Sequence, residues 1–342
     1  MNYGHAFPLL SEDSLRNLLA RCGFTGSIEQ VRYPAQGVNN RTYLVQCSEG
    51  RGAIVKTRPC GKPGSDVQPV TGDNPYWPRH TRALWGDYPN GGLHTLPDVT
   101  RLLREHGSIP VPEVYLADNT HMYAGAPCIV SEWLPGEGHG FVADPMAPAA
   151  ARQLGQHLAR MHDGASPGTY ERGFGIFSRL TSFPADAWWP RFGESYRMLI
   201  ADLSSRSPVI ASIEADLLCA LKRAEAAGTP DSFPLICIDQ APTHYLRDPD
   251  GSISAMVDVE GHLWAPREYE LAMVELWIGH QAPDFWAGYE DVQPRPRRQA
   301  QVRDVYRWMT WMQWTLCDYT LLGNPARARH MEERLAEMCR AA

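Results

Sequence analysis

Four side chains in the stretch CIDQAPTHYLRDPDGSISAMVDVE, residues 237–260, could share one piece of chemistry: Asp239, His244, Asp258 and Glu260. PLICID is an apolar, strand-like run that delivers Asp239 to a loop, and Pro242 stiffens that loop. Asp250-Gly251 is a strong hairpin-turn signal, and SAMVDVE behind it reads as a strand. The period of two along a strand puts Asp258 and Glu260 on one face. Two carboxylates, Asp239 and Asp258, thus leave neighbouring strand ends, with an imidazole five residues after the first. Such a set suits transfer of a phosphoryl group. One carboxylate orients the attacking hydroxyl, and the other holds a divalent cation against phosphate oxygens. The same letters also suit a surface hairpin with solvated acids, so the rest of the chain has to discriminate.

The elements that must position these residues follow from the patterning. SEDSLRNLLARCG reads as a helix capped at Ser11 and closed by Gly23. IEQVRYPAQGVNNRTYLVQCSEGRGAIVKTRP reads as strand, tight loop, strand, turn and strand, from the alternation in TYLVQC and the run AIVK. Residues 58–94 break all periodicity with Gly, Pro and Trp, and read as a lid or acceptor-binding insertion rather than scaffold. TLPDVTRLLREHG is a short helix, VPEVYLAD and APCIVSEWL are strands, and from about residue 146 the chain is mostly helical. A β-rich first third and a helical remainder predict an α+β protein in two lobes, 1–134 and 135–342. The Trp residues at 308, 311 and 314 have helical spacing and read as core.

Composition narrows the function classes. The 342 residues are 44% apolar and 21% charged, as in a globular protein. A net charge of −7 with no long basic run argues against a general nucleic-acid or anionic-membrane binder. The eight cysteines include no CxxC pair, which fits buried thiols in a reducing compartment better than disulfides or a zinc site. The first residues, MNYGHAFPLLSEDSL, lack a signal-peptide pattern, and no apolar run is long enough to span a bilayer. A cytoplasmic protein without membrane or nucleic-acid partners is expected.

With its elements in place, the chain resembles the aminoglycoside phosphotransferase, choline kinase and fructosamine kinase group of the protein-kinase-like superfamily. That group's catalytic loop runs His-Gly-Asp-x-x-x-x-Asn, and its metal strand carries an Ile-Asp-x-Glu element. Asp239 and His244 have the spacing of the motif's Asp and Asn, and VDVE fits the strand. The resemblance covers roughly residues 30–57 and 95–330. It implies a protein-kinase-like bilobal fold, with ATP and Mg²⁺ as cofactors and Mn²⁺ as an alternative metal. It implies Asp239 as catalytic base and Asp258 as the main metal ligand, assisted by His244 or Glu260. GVNNRTYLV looks like the nucleotide-covering loop, with Gly37, Asn39, Asn40 and Thr42 near phosphates, and Lys56 falls where the group's phosphate-binding lysine sits. CIVSEWLPGE is similar to the hinge, which places Glu132 to Leu134 at the adenine edge.

Three departures stand out. Cys237 replaces the motif's His. His244 replaces its Asn, as in macrolide phosphotransferases, which have a similar Pro-x-His context. The helix starting near Leu96 lacks the Glu that pairs with the strand lysine, leaving Asp98 or His94 nearby and Asp73 or Asp87 in the insertion as candidates, with Glu105 too far along. The sequence therefore supports two readings. One is an ATP-dependent phosphotransferase acting on a hydroxyl of an antibiotic-like, sugar-like or ketosamine compound, or on a peptide Ser/Thr. The other is a catalytically silent module that binds nucleotide or a partner protein.

Overall fold

The computed structural model describes residues 9–32, 41–57, 78–86, 95–118, 122–138, 146–164, 173–176, 183–296 and 300–341. Helix α1 (Glu12–Arg21) starts where Ser11 Oγ accepts the Ser14 N–H at 3.1 Å. Strands β1 (Ile28–Arg32), β2 (Arg41–Cys47), β3 (Gly52–Thr57), β4 (Val114–Asp118) and β5 (Cys128–Glu132) pair antiparallel in the order β1-β2-β3-β5-β4. Alternation gives this sheet two faces. Tyr43, Val45, Ala53, Val55, Cys128 and Val130 are buried together with Leu15, Leu18 and Leu19 of α1. The opposite face carries Thr42 directly across from Lys56 in the β2–β3 register.

The remainder is helical, as the patterning predicts. Helices α2 (Arg79–Trp85), α3 (Leu96–His106), α4 (Pro148–Gly164), α5 (Trp188–Ser204) and α6 (Pro208–Glu225) precede the site. Helices α7 (Arg267–Ile278), α8 (Ala282–Glu290), α9 (Ala300–Thr320) and α10 (Pro325–Ala341) follow it. Two small antiparallel sheets lie between them. β8 (Phe183–Pro184), β7 (Gly173–Ile176), β12 (His262–Trp264) and β9 (Leu235–Cys237) form one in that order. β11 (Ile253–Met256), β10 (Tyr245–Arg247) and β6 (Glu137–Gly138) form the other.

Two cores support the sheets. One packs Leu154 and Leu158 of α4 against Leu271, Val274, Phe285 and Tyr289 of α7 and α8. Here α4 and α8 meet backbone to backbone: a Cβ on Gly155 would lie 2.0 Å from Phe285 O, and one on Gly288 2.0 Å from Arg152 O. The other core is aromatic, with Trp188, Phe192, Tyr269 and Tyr306 in edge and tilted contacts. Trp308 is buried in it, and Trp311 donates to Met331 O. Among the described residues, no helix is long and apolar enough to cross a membrane.

Two expectations need correction. Residues 78–86, read as part of a lid, are scaffold. Leu84 and Trp85 of α2 are buried in the aromatic core, Ser195 Oγ donates to His80 O at 2.7 Å, and Arg79 pairs with Asp202 of α5. By packing, α2 belongs to the helical lobe although it falls within 1–134. The remainder of the 58–94 segment lies outside the described residues. Second, the strand expected to carry Asp258 and Glu260 stops at Met256. Asp258 is left-handed (φ 61°, ψ 50°), and Val259–Gly261 form a 3₁₀ turn, so period-two geometry does not place these carboxylates. The bonds that impose the turn are long-range, Ile238 N–H to Gly261 O at 2.9 Å and Val257 N–H to His244 O at 2.7 Å.

Candidate active site

β9 is buried at every residue, and two residues beyond it the chain presents Asp239 at an exposed position. A one-turn 3₁₀ helix, Pro242–His244, then brings the imidazole back toward it. Asp258 is the only non-glycine residue with positive φ among those described, a conformation that Asp tolerates better than most side chains. This strain re-aims its carboxylate. Ligand atoms of Asp239, His244 and Asp258 all lie within 4.8 Å of one another, and His244 Nε2 is 3.5 Å from Asp258 Oδ2. Two carboxylates and an imidazole at that spacing fit one divalent cation. From β3, Lys56 Nζ lies 2.8 Å from Asp258 Oδ1 and 2.8 Å from Glu260 Oε1.

The electrostatics separate these acids. Burial pushes the Asp258 carboxyl up, but Lys56, a hydrogen bond from Glu260 and the charge of His244 more than offset it and hold the group well down. Burial pushes Glu260 up, and Asp258 adds to the push against Lys56. Asp258 is thus held ionised, with the Lys56 ammonium as its strongest attractive partner. Asp239 keeps an exposed surface, yet desolvation by the protein on its inner side pushes its carboxyl up, opposed by His244 and reinforced by Asp258. Burial alone would lower the Lys56 pKa; Glu260 and Asp258 instead hold it above the ordinary lysine value.

Beneath the loop lies a buried network that the sequence reading passed over. Glu270 of α7 accepts from Cys237 N–H at 2.8 Å and from the Gln240 amide, and its other oxygen meets His162 Nε2 at 2.7 Å. Tyr245 donates to Gln240 Oε1 at 2.7 Å, and His162 Nδ1 lies 3.0 Å from Tyr289 Oη. The signal was an acid inside the apolar helix REYELAMVELWI, where Glu270 is buried. His162, read as a lone histidine, is a member of this network. Opposite Cys237 in register, buried His262 bonds through Nδ1 to Val259 O at 2.8 Å. The imidazole missing from position 237 thus has a neighbour on the facing strand. Burial pushes the Cys237 thiol well up, so it stays protonated.

The other expected positions are distributed as follows. Thr42 lines the sheet face that carries Lys56, whereas Gly37, Asn39 and Asn40 lie outside the described residues. Glu132 ends β5, accepts from Glu113 N–H at 3.1 Å and lies 3.5 Å from Arg104, and half-buried Leu134 follows it toward the helical lobe. Asp98 and Glu105 of α3 both face Arg101, so neither is the partner of Lys56. His94, Asp73 and Asp87 lie outside the described residues. Glu260, expected beside the metal, has its carboxylate on Lys56 and is not in the three-residue cluster.

An antiparallel five-stranded sheet over a helical lobe, with acids from a loop and a following hairpin facing a strand lysine, defines a kinase-like fold. The sequence model of the phosphotransferase enzyme family matches residues 30–308, and the chain belongs to that family. Solved structures agree on the fold. A Thermobifida fusca YX-ER1 protein provisionally called a fructosamine-3-kinase superposes with a TM-score of 0.60 at 20% identity, covering 94% of this chain and 96% of its own. Macrolide 2′-phosphotransferase MphH from Brachybacterium faecium gives 0.57 at 16%, covering 92% and 96%. A ternary complex of an aminoglycoside phosphotransferase, APH(4)-Ia, with AMP-PNP and hygromycin B gives 0.61 at 16%, covering 96% and 97%. A comparison with curated protein sequences gives no match.

Proposed function

We propose that the protein is an ATP-dependent phosphotransferase that moves the γ-phosphoryl group to a hydroxyl of a small molecule in the cytoplasm. The observation that carries this reading is the gathering of Asp239, His244 and Asp258 within 4.8 Å, with Lys56 facing them from β3. Asp239 orients the acceptor hydroxyl and takes its proton as the new O–P bond forms and the bond from the γ-phosphorus to the bridging oxygen breaks, releasing ADP. A carboxyl whose pKa lies above the ordinary value is the better base. Asp258 and His244 hold the divalent cation, which when bound neutralises phosphate charge. Imidazole nitrogen suits Mn²⁺ better than Mg²⁺, so both metals belong in any assay. Lys56 supplies a fixed positive charge to the phosphates. Thr42, Glu132 and Leu134 line the nucleotide side, joined on this reading by Gly37, Asn39 and Asn40. The acceptor class is drawn from the neighbours, whose names refer to macrolides, a fructosamine kinase and hygromycin B.

The test is ATP consumption with Mg²⁺ or Mn²⁺ against a panel of aminoglycosides, macrolides, sugars, ketosamines and Ser/Thr peptides, comparing the wild type with Asp239→Asn. Base catalysis contributes roughly 10²–10⁴-fold, so turnover should fall by at least about 10² while ATP still raises the melting temperature. Turnover near wild type in that variant removes Asp239 from the base role. A wild-type protein that binds ATP and phosphorylates nothing on the panel supports the silent-module reading instead.

A further inference from the structure

Among the described residues, Lys56 has two acidic neighbours, Asp258 and Glu260, and both come from the other lobe. Helix α3 brings it none. The buried side of α3 is Leu96, Val99, Thr100 and Leu103, and its acids Asp98 and Glu105 are spent on Arg101. Asp258 is shared among Lys56, His244 and the cluster with Asp239, so a cation in that cluster would compete with the ammonium for its carboxylate. Glu260 also shares a hydrogen bond with Asp258. It stands outside the cluster, and its side chain is 12% exposed against 41% for Asp258. Lysine is rare in this chain. Only three lysines, at 56, 62 and 222, occur among 32 basic residues. A compact ammonium with three rotatable donors can serve Glu260 and a phosphate oxygen together, which a planar guanidinium does less well.

On the phosphotransferase reading above, we propose that Glu260 is the positioning residue of Lys56. It holds the ammonium on the phosphate side of the cleft in place of a carboxylate from α3. The pair joins β3 to the 259–261 turn, so the lysine is in position only when the sheet is seated on the helical lobe. A pair made within the small lobe would be indifferent to that seating.

The experiment is calorimetric binding of MgATP to the wild type, Glu260→Gln, Lys56→Met and the double variant. If Glu260 acts through Lys56, Glu260→Gln weakens binding roughly tenfold, equivalent to about 1.4 kcal/mol, and the double variant is no weaker than Lys56→Met alone. Binding by Glu260→Gln at wild-type strength, or losses that multiply in the double variant, overturns the proposal. The second pattern would make Glu260 an independent ligand of the cation. A wild-type protein that does not bind millimolar MgATP counts against the phosphotransferase reading instead. A readout independent of nucleotide, and of whether Lys56→Met folds, is amine labelling of the wild type and Glu260→Gln mapped by peptide, with Lys222 as internal reference. Losing the pair should speed labelling of Lys56 several-fold relative to Lys222. An unchanged ratio also overturns the proposal.

Discussion

Glu270 offers the sharpest test of how the loop carrying Asp239 is held. Its carboxylate is 1% exposed and is bonded to Cys237 N–H, the Gln240 amide and His162. Glu270→Ala strands two buried donors and one imidazole nitrogen. Each stranded buried group costs about 1–3 kcal/mol. Since water can enter the vacated space, we expect a net loss of about 3–5 kcal/mol. Glu270→Gln preserves shape and one acceptor oxygen. Its amide can face His162 Nε2 if the ring proton moves to Nδ1, where Tyr289 Oη is 3.0 Å away and can accept it. That substitution should cost only about 1–2 kcal/mol. The assay is equilibrium urea unfolding followed by tryptophan fluorescence and circular dichroism, because the aromatic core reports on the same lobe. The reasoning fails if the Ala variant is within about 1 kcal/mol of wild type, or if Gln costs as much as Ala.

Three further outcomes can be checked on the same instrument. Trp85→Ala removes a side chain 5.8 Å from Trp188 and 5.9 Å from Tyr269, centroid to centroid, and should cost about 3–5 kcal/mol; a lid residue would cost within about 0.5 kcal/mol. Gly155→Ala drives a methyl into Phe285 O and should destabilise by at least about 2 kcal/mol; unchanged stability would mean that α4 and α8 do not touch. Burial pushes the His157 imidazole down to about 3, and its Nδ1 accepts from Ser108 and Ile109 N–H at 3.1 Å each. The folded pKa lies below the unfolded value of about 6.5, so the native state needs the neutral ring. Its contribution is intact above about pH 6.5 and is lost as pH falls toward about 3, by up to about 1.4 kcal/mol per pH unit. His157→Asn keeps an acceptor and removes the titration, so its acid stability curve should be flatter; parallel curves would exclude His157 as the source.

What could be read in advance depended on how local the determining physics was. The sheet was legible because TYLVQC and AIVK alternate within single strands, and the helices because their apolar periods are complete. Asp239, His244 and Asp258 could be grouped because a five-residue spacing and one hairpin bring them together. The seven-residue helix α2 could not be read. It is too short to show a period, and its partner α5 lies about a hundred residues on in the chain. The left-handed turn at Asp258 was hidden for a related reason: the bonds that impose it come from Ile238 and His244, not from its own strand. Glu270 was obscured by the apolar residues around it, since a periodicity argument treats one buried acid as noise.

The docking of α2 has a mechanical consequence. The chain leaves the small lobe after Thr57, anchors on the helical lobe at Arg79–Trp85, returns through α3 to β4, and crosses again after Glu132. Two bodies joined by one strand can twist about it. These are joined by three passages of the same chain, and any change of angle must be absorbed in all three at once.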